Sequence, residues 1–268
     1  MDLGIQIHRL ALAACFALLH ATAGWAQTTR FAAGYGSARY AAEEPSPTGG
    51  VSNREDGRLE RRTLEARHRN DGWTWQAAHR RSEGTLDYRG STQIGLPLRT
   101  LTDLQRSESA LGGAFASALG GPGADIALGA GVEEVRTRRR IRATGFSGEL
   151  IETLHTRQWL LGASASYAMQ LGARPLRMSI ALQADRPWSQ RLVVDSLGVL
   201  DTFGLRPAPR WGSRLGFAAE WTVGAGLEIG IHIEQQIYRP GAAMGGTASY
   251  PGSVQKLRSL VAALSWTP

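Results

Sequence analysis

Residues 226 to 239, GLEIGIHIEQQIYR, alternate between apolar and polar side chains almost without interruption. Leu227, Ile229, Ile231 and Ile233 occupy every second position, and polar residues or glycine stand between them. Successive side chains of a β-strand point to opposite faces, whereas a helix would distribute the same residues around its circumference. The pattern therefore predicts a strand with one apolar face.

Nine further segments of the chain alternate in a similar way, and the connections between these ten predicted strands are sorted by length. Asn70-Asp71-Gly72 is typical of a tight hairpin turn and makes one of the short connections. Short connections are predicted at 69–72, 120–124, 171–175 and 224–226, and longer ones at 43–57, 89–100, 142–149, 189–209 and 240–253, where 192–200 could form a hairpin of its own.

The two faces of the predicted strands differ in a way that distinguishes a barrel from a sandwich. A sandwich would need apolar inner faces on both of its sheets, but here the second face is small or polar. Long loops that alternate with tight turns are typical of outer-membrane barrels. We therefore predict an all-β, closed, up-and-down antiparallel transmembrane β-barrel of about ten strands, within a range of 8–12. Aromatic residues near the short turns suit a girdle at a membrane interface: Trp73, Trp75, Tyr167, Trp221 and Trp266.

The first 26 residues have the parts of a secretory signal peptide. An apolar stretch from Leu10 to Leu19 follows Arg9, and Gly24-Trp25-Ala26 offers the small residues of a cleavage site. Cleavage after Ala26 is preferred to cleavage after Ala23, which leaves 27–268 as the barrel domain. Residues 12–15, LAAC, also resemble a lipoprotein lipobox, which would make Cys15 a lipid anchor.

Composition limits the chemistry that the exported chain could perform. Cys15 is the only cysteine among the 268 residues, so a chain cleaved after residue 26 has no disulfide and no thiolate site. The net charge of +7 comes almost wholly from arginine, because Lys256 is the only lysine. Nucleic-acid binding is disfavoured, because the arginines are spread over many strands and the signal peptide directs export. Beyond the N-terminus, no apolar run approaches the roughly 20 residues of a spanning helix.

Polar residues on the second face of the strand at 226–239 offer candidate chemistry. Glu228, His232 and Glu234 share that face, and a histidine beside carboxylates could act as a general base or a metal ligand. His232, Glu234 and Asp185 are the weak catalytic candidates, and we predict neither a metal nor a cofactor. The alternative is a polar ladder that fills the lumen of a narrow barrel, made of Glu228, His232, Glu234, Gln236, Arg214, Glu220 and Arg177.

The sequence from 136 to 142, RTRRRIR, is the densest run of charge. Arg136, Arg138 and Arg140 continue the lipid-facing side of their predicted strand beyond the apolar part. Guanidinium groups bind phosphate bidentately, so these arginines are predicted to contact lipopolysaccharide. The alternative is a solvated cluster paired with Glu133, Glu134 and Glu149.

The signal peptide, the alternation and the last strand, 260–266, resemble bacterial outer-membrane β-barrel proteins. That class usually ends on an aromatic residue, whereas Thr267 and Pro268 follow Trp266 here. The resemblance implies the outer membrane of a Gram-negative bacterium, with outer-membrane lipid, lipopolysaccharide and the barrel assembly machinery as partners. The strand number is similar to that of omptin-type proteases, which use two aspartates facing an aspartate and a histidine. No Asp-x-Asp or Asp-x-His occurs here, so none of their residues is transferred.

Two functions follow as expectations. The first is a non-enzymatic barrel that acts as a small porin-like channel or as a surface interaction or structural protein. The alternative is an enzyme at the outer rim, either an omptin-like protease or a lipid-modifying hydrolase.

Overall fold

A computed structural model describes residues 28–46, 50–91, 97–118, 123–145, 147–172, 174–197, 202–245 and 248–268. The predicted signal peptide and Cys15 lie outside these residues. Among the described residues, no helix is long and apolar enough to cross a membrane. The chain forms ten long strands: β1 (Thr28–Pro45), β2 (Val51–Asn70), β3 (Trp73–Ser91), β4 (Pro97–Ala118), β5 (Ala124–Ile141), β6 (Leu150–Leu171), β7 (Arg174–Asp195), β9 (Gly212–Gly224), β10 (Leu227–Tyr238) and β13 (Val254–Trp266). Three short strands lie between them: β8 (Phe203–Leu205), β11 (Ala243–Gly245) and β12 (Ala248–Tyr250).

The ten long strands close into one ring. Each pairs antiparallel with its neighbour in the chain, and the ring closes where β1 pairs with β13. Phe31 lies opposite Trp266 at that seam, and Glu43 lies opposite Val254. The predicted closed, up-and-down antiparallel barrel is therefore confirmed.

The connections divide the barrel into two ends, here called the turn end and the loop end. The turn end holds the connections β2–β3, β4–β5, β6–β7 and β9–β10, and the loop end holds the others, which include the three longest. At the β2–β3 turn, Asp71 and Gly72 have φ of 44° and 83°. Positive φ at both central residues is what a two-residue hairpin turn of the favoured hand requires, and it explains the Asp-Gly pair.

The strands extend further towards the loop end than the alternation predicted. The predicted loop at 43–57 is mostly strand, because β1 runs to Pro45 and β2 begins at Val51. The predicted connection at 189–209 begins with seven more residues of β7, and Leu192–Val194 pairs with β8 instead of a hairpin within 192–200. The outer face of these extensions is largely polar and the inner face is mixed. Backbone hydrogen bonds between the strands therefore continue where the apolar alternation has stopped.

Large apolar side chains face outwards around the turn-end half of the barrel. Leu128, Ile231 and Leu264 are each at least half exposed, and the five predicted girdle aromatics are between 40% and 52% exposed. Because these residues do not pack against one another in a central core, the barrel has an apolar exterior. We call this zone the apolar band; it includes Leu64, Leu128, Leu161, Leu182, Ile231 and Leu264.

Candidate functional site: the barrel interior

A layer of ion-paired side chains crosses the middle of the barrel interior. Alternation along β2, β3, β4, β5, β9 and β10 turns charged side chains inwards, and closure of the ring brings these side chains together from strands that are distant in sequence. We call this set the middle charged layer: Arg61, Arg80, Arg106, Arg214, Glu108, Glu133 and Glu234.

Most of the middle charged layer is closed to water. Arg61 Nη2 lies 3.0 Å from Glu234 Oε1 and 3.4 Å from Glu108 Oε2, and Arg106 Nε lies 2.7 Å from Glu108 Oε1. Arg214 Nη2 lies 3.0 Å from Glu133 Oε1. Arg61, Arg106 and Glu108 are each at most 2% exposed. Buried charges of this kind are tolerated only when they are paired and hydrogen bonded, so each member fixes the position of its neighbours.

Beyond the middle charged layer, the loop-end half of the interior is a packed core. One apolar cluster fills the side formed by β1 to β4 and β13, and a second fills the side formed by β6, β7, β10 and the short strands. We call the two together the loop-end core. The first contains Ala38, Tyr40, Ala42, Leu59, Leu86, Leu104 and Leu257, and the second contains Leu154, Leu192, Val194, Leu205, Tyr238, Ala243 and Tyr250.

A second group of charges lies within the loop-end core, well beyond the apolar band. Arg139 contacts Glu44 at 3.4 Å, Glu55 at 2.9 Å and Glu152 at 2.8 Å. Three carboxylates therefore share one guanidinium. Burial is the main reason that the pKa of Glu152 rises to about 7, and the neighbouring Glu44 and Glu55 raise it further against the opposing effect of Arg139.

The turn-end half of the interior holds a cavity of about 550 Å³, here called the turn-end cavity. Arg30 anchors one wall: its guanidinium binds both carboxylate oxygens of Glu220 at 2.7 and 2.9 Å, and it lies 3.0 Å from Glu228. His232 Nε2 lies 3.2 Å from Glu220 Oε1. Thr28 and Thr267, at the ends of the first and last long strands, also line the cavity, so it reaches the turn-end rim.

The seven residues of the predicted lumen ladder all have inward-facing side chains, but they belong to different parts of the interior. Glu234 and Arg214 belong to the middle charged layer, and the amide of Gln236 accepts a hydrogen bond from Arg106 at 3.1 Å. Glu220, Glu228, His232 and Arg177 line the turn-end cavity. The main partners of the carboxylates are Arg30 and Arg61, which the sequence did not single out. Arg177 instead contacts Asp125 at 3.5 Å.

The three weak catalytic candidates do not form one site. Asp185 is 2% exposed and lies opposite Gly212 on β9, whereas His232 lies opposite Ala218, six residues further along that strand. Six strand residues span roughly 20 Å. A Cβ atom at position 212 would lie 2.3 Å from the Asp185 carboxylate. Glycine at this position therefore leaves the space that the Asp185 side chain occupies. In the described part of the chain, no group of three or more metal-ligating side chains is placed to hold a metal ion.

On the exterior, the predicted lipopolysaccharide contacts divide into two kinds. Arg140 forms a bidentate pair with Glu149, at 2.6 and 2.8 Å. Arg136 and Arg138 are exposed and make no side-chain hydrogen bond or ion pair with any described residue. The other predicted partners are occupied elsewhere, because Glu133 faces inwards to Arg214 and Glu134 lies 3.5 Å from Arg157.

A second group of exterior arginines was not predicted. Arg39 lies directly opposite Arg58 on β2 and directly opposite Arg258 on β13, and all three are exposed. We call them the arginine triplet. Arg58 donates to Ser37 and Arg258 donates to Gln235, and within the described residues none of the three has an acidic partner within ion-pair distance. The alternation of each strand predicts that these arginines face outwards, but it does not predict the strand register that places them opposite one another.

Comparison with known proteins supports the fold. No protein-family model and no curated protein sequence matches the chain. The structure is similar to the outer membrane protease OmpT from Escherichia coli, with a TM-score of 0.65 and 11% identity over 90% of this chain and 97% of that chain. Weaker similarities include the outer membrane protein OprG from Pseudomonas aeruginosa (TM-score 0.40, 10% identity, 91% and 98% covered) and Neisserial surface protein A (TM-score 0.35, 11% identity, 88% and 96% covered). The chain has the ten-stranded barrel fold of an outer-membrane protein.

Proposed function

We propose that the protein is an outer-membrane barrel that is closed to solutes and acts as a non-enzymatic surface interaction protein. The single observation that carries this proposal is the continuous filling of the interior by the middle charged layer and the loop-end core. A porin-like channel would require an aqueous path through both, and the side chains there are packed or ion paired.

The same proposal gives the barrel an orientation. Outer-membrane barrels have tight turns on the periplasmic side and longer loops outside. The loop end therefore faces the cell exterior, and the strand extensions beyond the apolar band form a rigid surface platform. OmpT is described as a protease, but the separation of His232 from Asp185 favours a role without catalysis in this chain.

Planar-bilayer conductance tests closure of the barrel. We expect refolded protein to insert without steady single-channel steps. Insertion is checked independently by protease protection of the barrel in vesicles of the same lipid. Reproducible conductance steps from inserted wild-type protein would contradict the proposal and restore the porin-like alternative.

For the surface partner, we propose lipopolysaccharide, bound through arginines just above the apolar band. The arginine triplet supports this choice, because Arg258 lies one outward position nearer the loop end than the exposed apolar Leu260. Like charges directly opposite one another on adjoining strands also repel. Phosphate groups would offset that repulsion and accept several charge-assisted hydrogen bonds. Arg136 and Arg138, with their donors free of described partners, would extend the same contact around the barrel.

The arginine triplet allows a test of this partner, because one substitution is expected to raise stability without lipopolysaccharide and to weaken binding when lipopolysaccharide is present. In uncharged detergent, Arg39→Gln removes two repulsive pairs, and we expect stability to rise by roughly 0.5 kcal/mol. With lipopolysaccharide present, the same substitution should weaken binding several-fold, measured by co-migration of the lipid with the folded barrel. Arg54→Gln, on an exterior arginine near Asp56, is the matched control. If Arg39→Gln leaves lipopolysaccharide binding unchanged, the triplet is not the contact.

A further inference from the structure

The turn-end cavity is not used by the proposed surface function, and its lining has an excess of hydrogen-bond donors. Seven arginines and five carboxylates line it. Each carboxylate already has an arginine partner: Glu65 pairs with Arg67, Asp125 with Arg177, Glu234 with Arg61, and Glu220 and Glu228 with Arg30. Among the lining residues the arginines outnumber the carboxylates, but Arg61, Arg80 and Arg214 also contact Glu108 or Glu133 of the middle charged layer, so the unused donors belong to individual arginines.

Three arginines of the cavity have donors that the described residues leave unused. Arg69 is exposed at the turn-end rim and has no ion pair or side-chain hydrogen bond to a described residue. Arg177 donates from Nη2 alone, to Ser166 at 2.8 Å and to Asp125 at 3.5 Å, so its Nη1 and Nε have no side-chain partner among the described residues. These two side chains come from β2 and β7, which lie on different sides of the ring.

Arg80 is the deepest of the three. Only 17% of its side chain is exposed, yet its guanidinium makes no side-chain hydrogen bond to a described residue. Its carboxylate contacts, with Glu133 at 3.6 Å and with Glu108 at 3.9 Å, are long, and both carboxylates have closer arginine partners. Largely buried donors are normally satisfied, so the N–H groups of Arg80 are available to whatever occupies the cavity.

Small residues on the facing walls keep this space open. Ala114, Ala127 and Ala181 point into it from β4, β5 and β7, where larger side chains would fill the lumen. A volume of about 550 Å³ lies in the range of small-molecule sites. Ser164 and Ser179 add neutral hydroxyl donors to the arginines.

We infer that the turn-end cavity binds a small multivalent oxyanion, such as a compound bearing two phosphate groups, that enters from the turn end. Arg69 and Arg177 form the mouth of the site, and Arg80 forms its floor. Guanidinium groups from several directions provide charge-assisted hydrogen bonds to such an anion, whereas a neutral solute would leave those donors unpaired. This inference does not depend on whether the exterior binds lipopolysaccharide.

Calorimetric titration of the refolded full chain with inorganic pyrophosphate, in uncharged detergent at low salt, tests the site. We expect saturable binding with one site per barrel. Arg69→Gln and Arg177→Gln should each weaken it by roughly tenfold, because each removes a charged hydrogen-bond donor. The matched control is Arg174→Gln, an exposed arginine at the start of β7 that does not line the cavity, and it should change affinity by less than about twofold.

Two results would overturn the inference. One is the lack of saturable pyrophosphate binding by wild-type protein whose folding is verified by its tryptophan fluorescence. The other is an equal loss of affinity in Arg174→Gln, which would mean that the rim attracts anions only through its general charge.

Discussion

The two halves of the barrel interior share strands but differ in what fills them. At the loop end, leucines such as Leu59, Leu86 and Leu104 pack together on the inner face of β2, β3 and β4 and exclude water. At the turn end, the inward positions carry alanine, serine and partly exposed arginine, and a cavity remains. A single closed sheet can thus be filled at one end and contain a cavity at the other, because many of the inward-facing side chains are large at the loop end and small at the turn end.

The largest effect is expected when a carboxylate is removed from the middle charged layer and is compared with one removed from the wall of the turn-end cavity. Glu108→Ala removes the carboxylate partner of the buried Arg106 and one of the two carboxylate partners of the buried Arg61, and we expect the free energy of unfolding to fall by about 3–5 kcal/mol. Glu228→Ala, in the partly exposed wall of the cavity, should cost about 1 kcal/mol or less. Denaturant unfolding in lipid vesicles measures both. Equal costs would mean that the middle charged layer is hydrated.

A slightly smaller effect is expected from the apolar side chains. Leu104→Ala opens a void in the loop-end core, and we expect a loss of about 2–5 kcal/mol in the same unfolding assay. Leu128→Ala is the control, because Leu128 is 66% exposed on the exterior and its removal leaves no internal void. Equal losses for the two leucines would mean that the loop-end core is packed no more closely than the exterior.

The pH dependence of stability sharpens the description of the loop-end half. The raised pKa of Glu152 means that the folded barrel keeps a proton that the unfolded chain releases, so stability falls as pH rises from the ordinary glutamate range to about 7. The slope is at most about 1.4 kcal/mol per pH unit. Glu152→Gln should flatten that dependence and be the more stable form at pH 8. Unfolding midpoints at pH 5 and pH 8 test this, and a wild-type midpoint that rises with pH would contradict it.

The smallest expected effect comes from the turn-end histidine. His232→Ala removes one hydrogen bond to Glu220, which keeps both contacts with Arg30, so we expect a loss of about 1 kcal/mol or less. Thermal unfolding measures this loss. A hydrolytic activity that the wild type has and His232→Ala lacks by orders of magnitude would instead support the enzyme alternative.

The sequence predicted the architecture best within the apolar band, where apolar and polar residues alternate. Ile229, Ile231 and Ile233 must face an apolar surrounding, so their parity identifies the strand and its outer face. The same signal fails for residues 43–57, because a strand that extends beyond the apolar band has polar residues on its outer face as well. Long connections were therefore predicted where strand continues.

Interior partners were less predictable than strands. Glu220 and Glu228 were identified as inward-facing, but their partner, Arg30, lies on a strand 190 residues away from Glu220. Alternation along a strand predicts which charged residues face inwards. Which of them form ion pairs depends on the register of the strands and on closure of the sheet. The arginine triplet was missed for the same reason, because Arg39 and Arg258 become neighbours only at the seam.

The seam between β1 and β13 has a kinetic consequence. It joins residues as distant as Arg30 and Ser265, 235 positions apart, and each half of the joint is an unpaired edge until the other arrives. The entropic cost of closing so long a loop, together with the non-local pairing on every side, makes the joint a late and slow event in assembly. Until then, the exposed backbone edges of the first and last strands are the places at which a partner or another chain could add a strand.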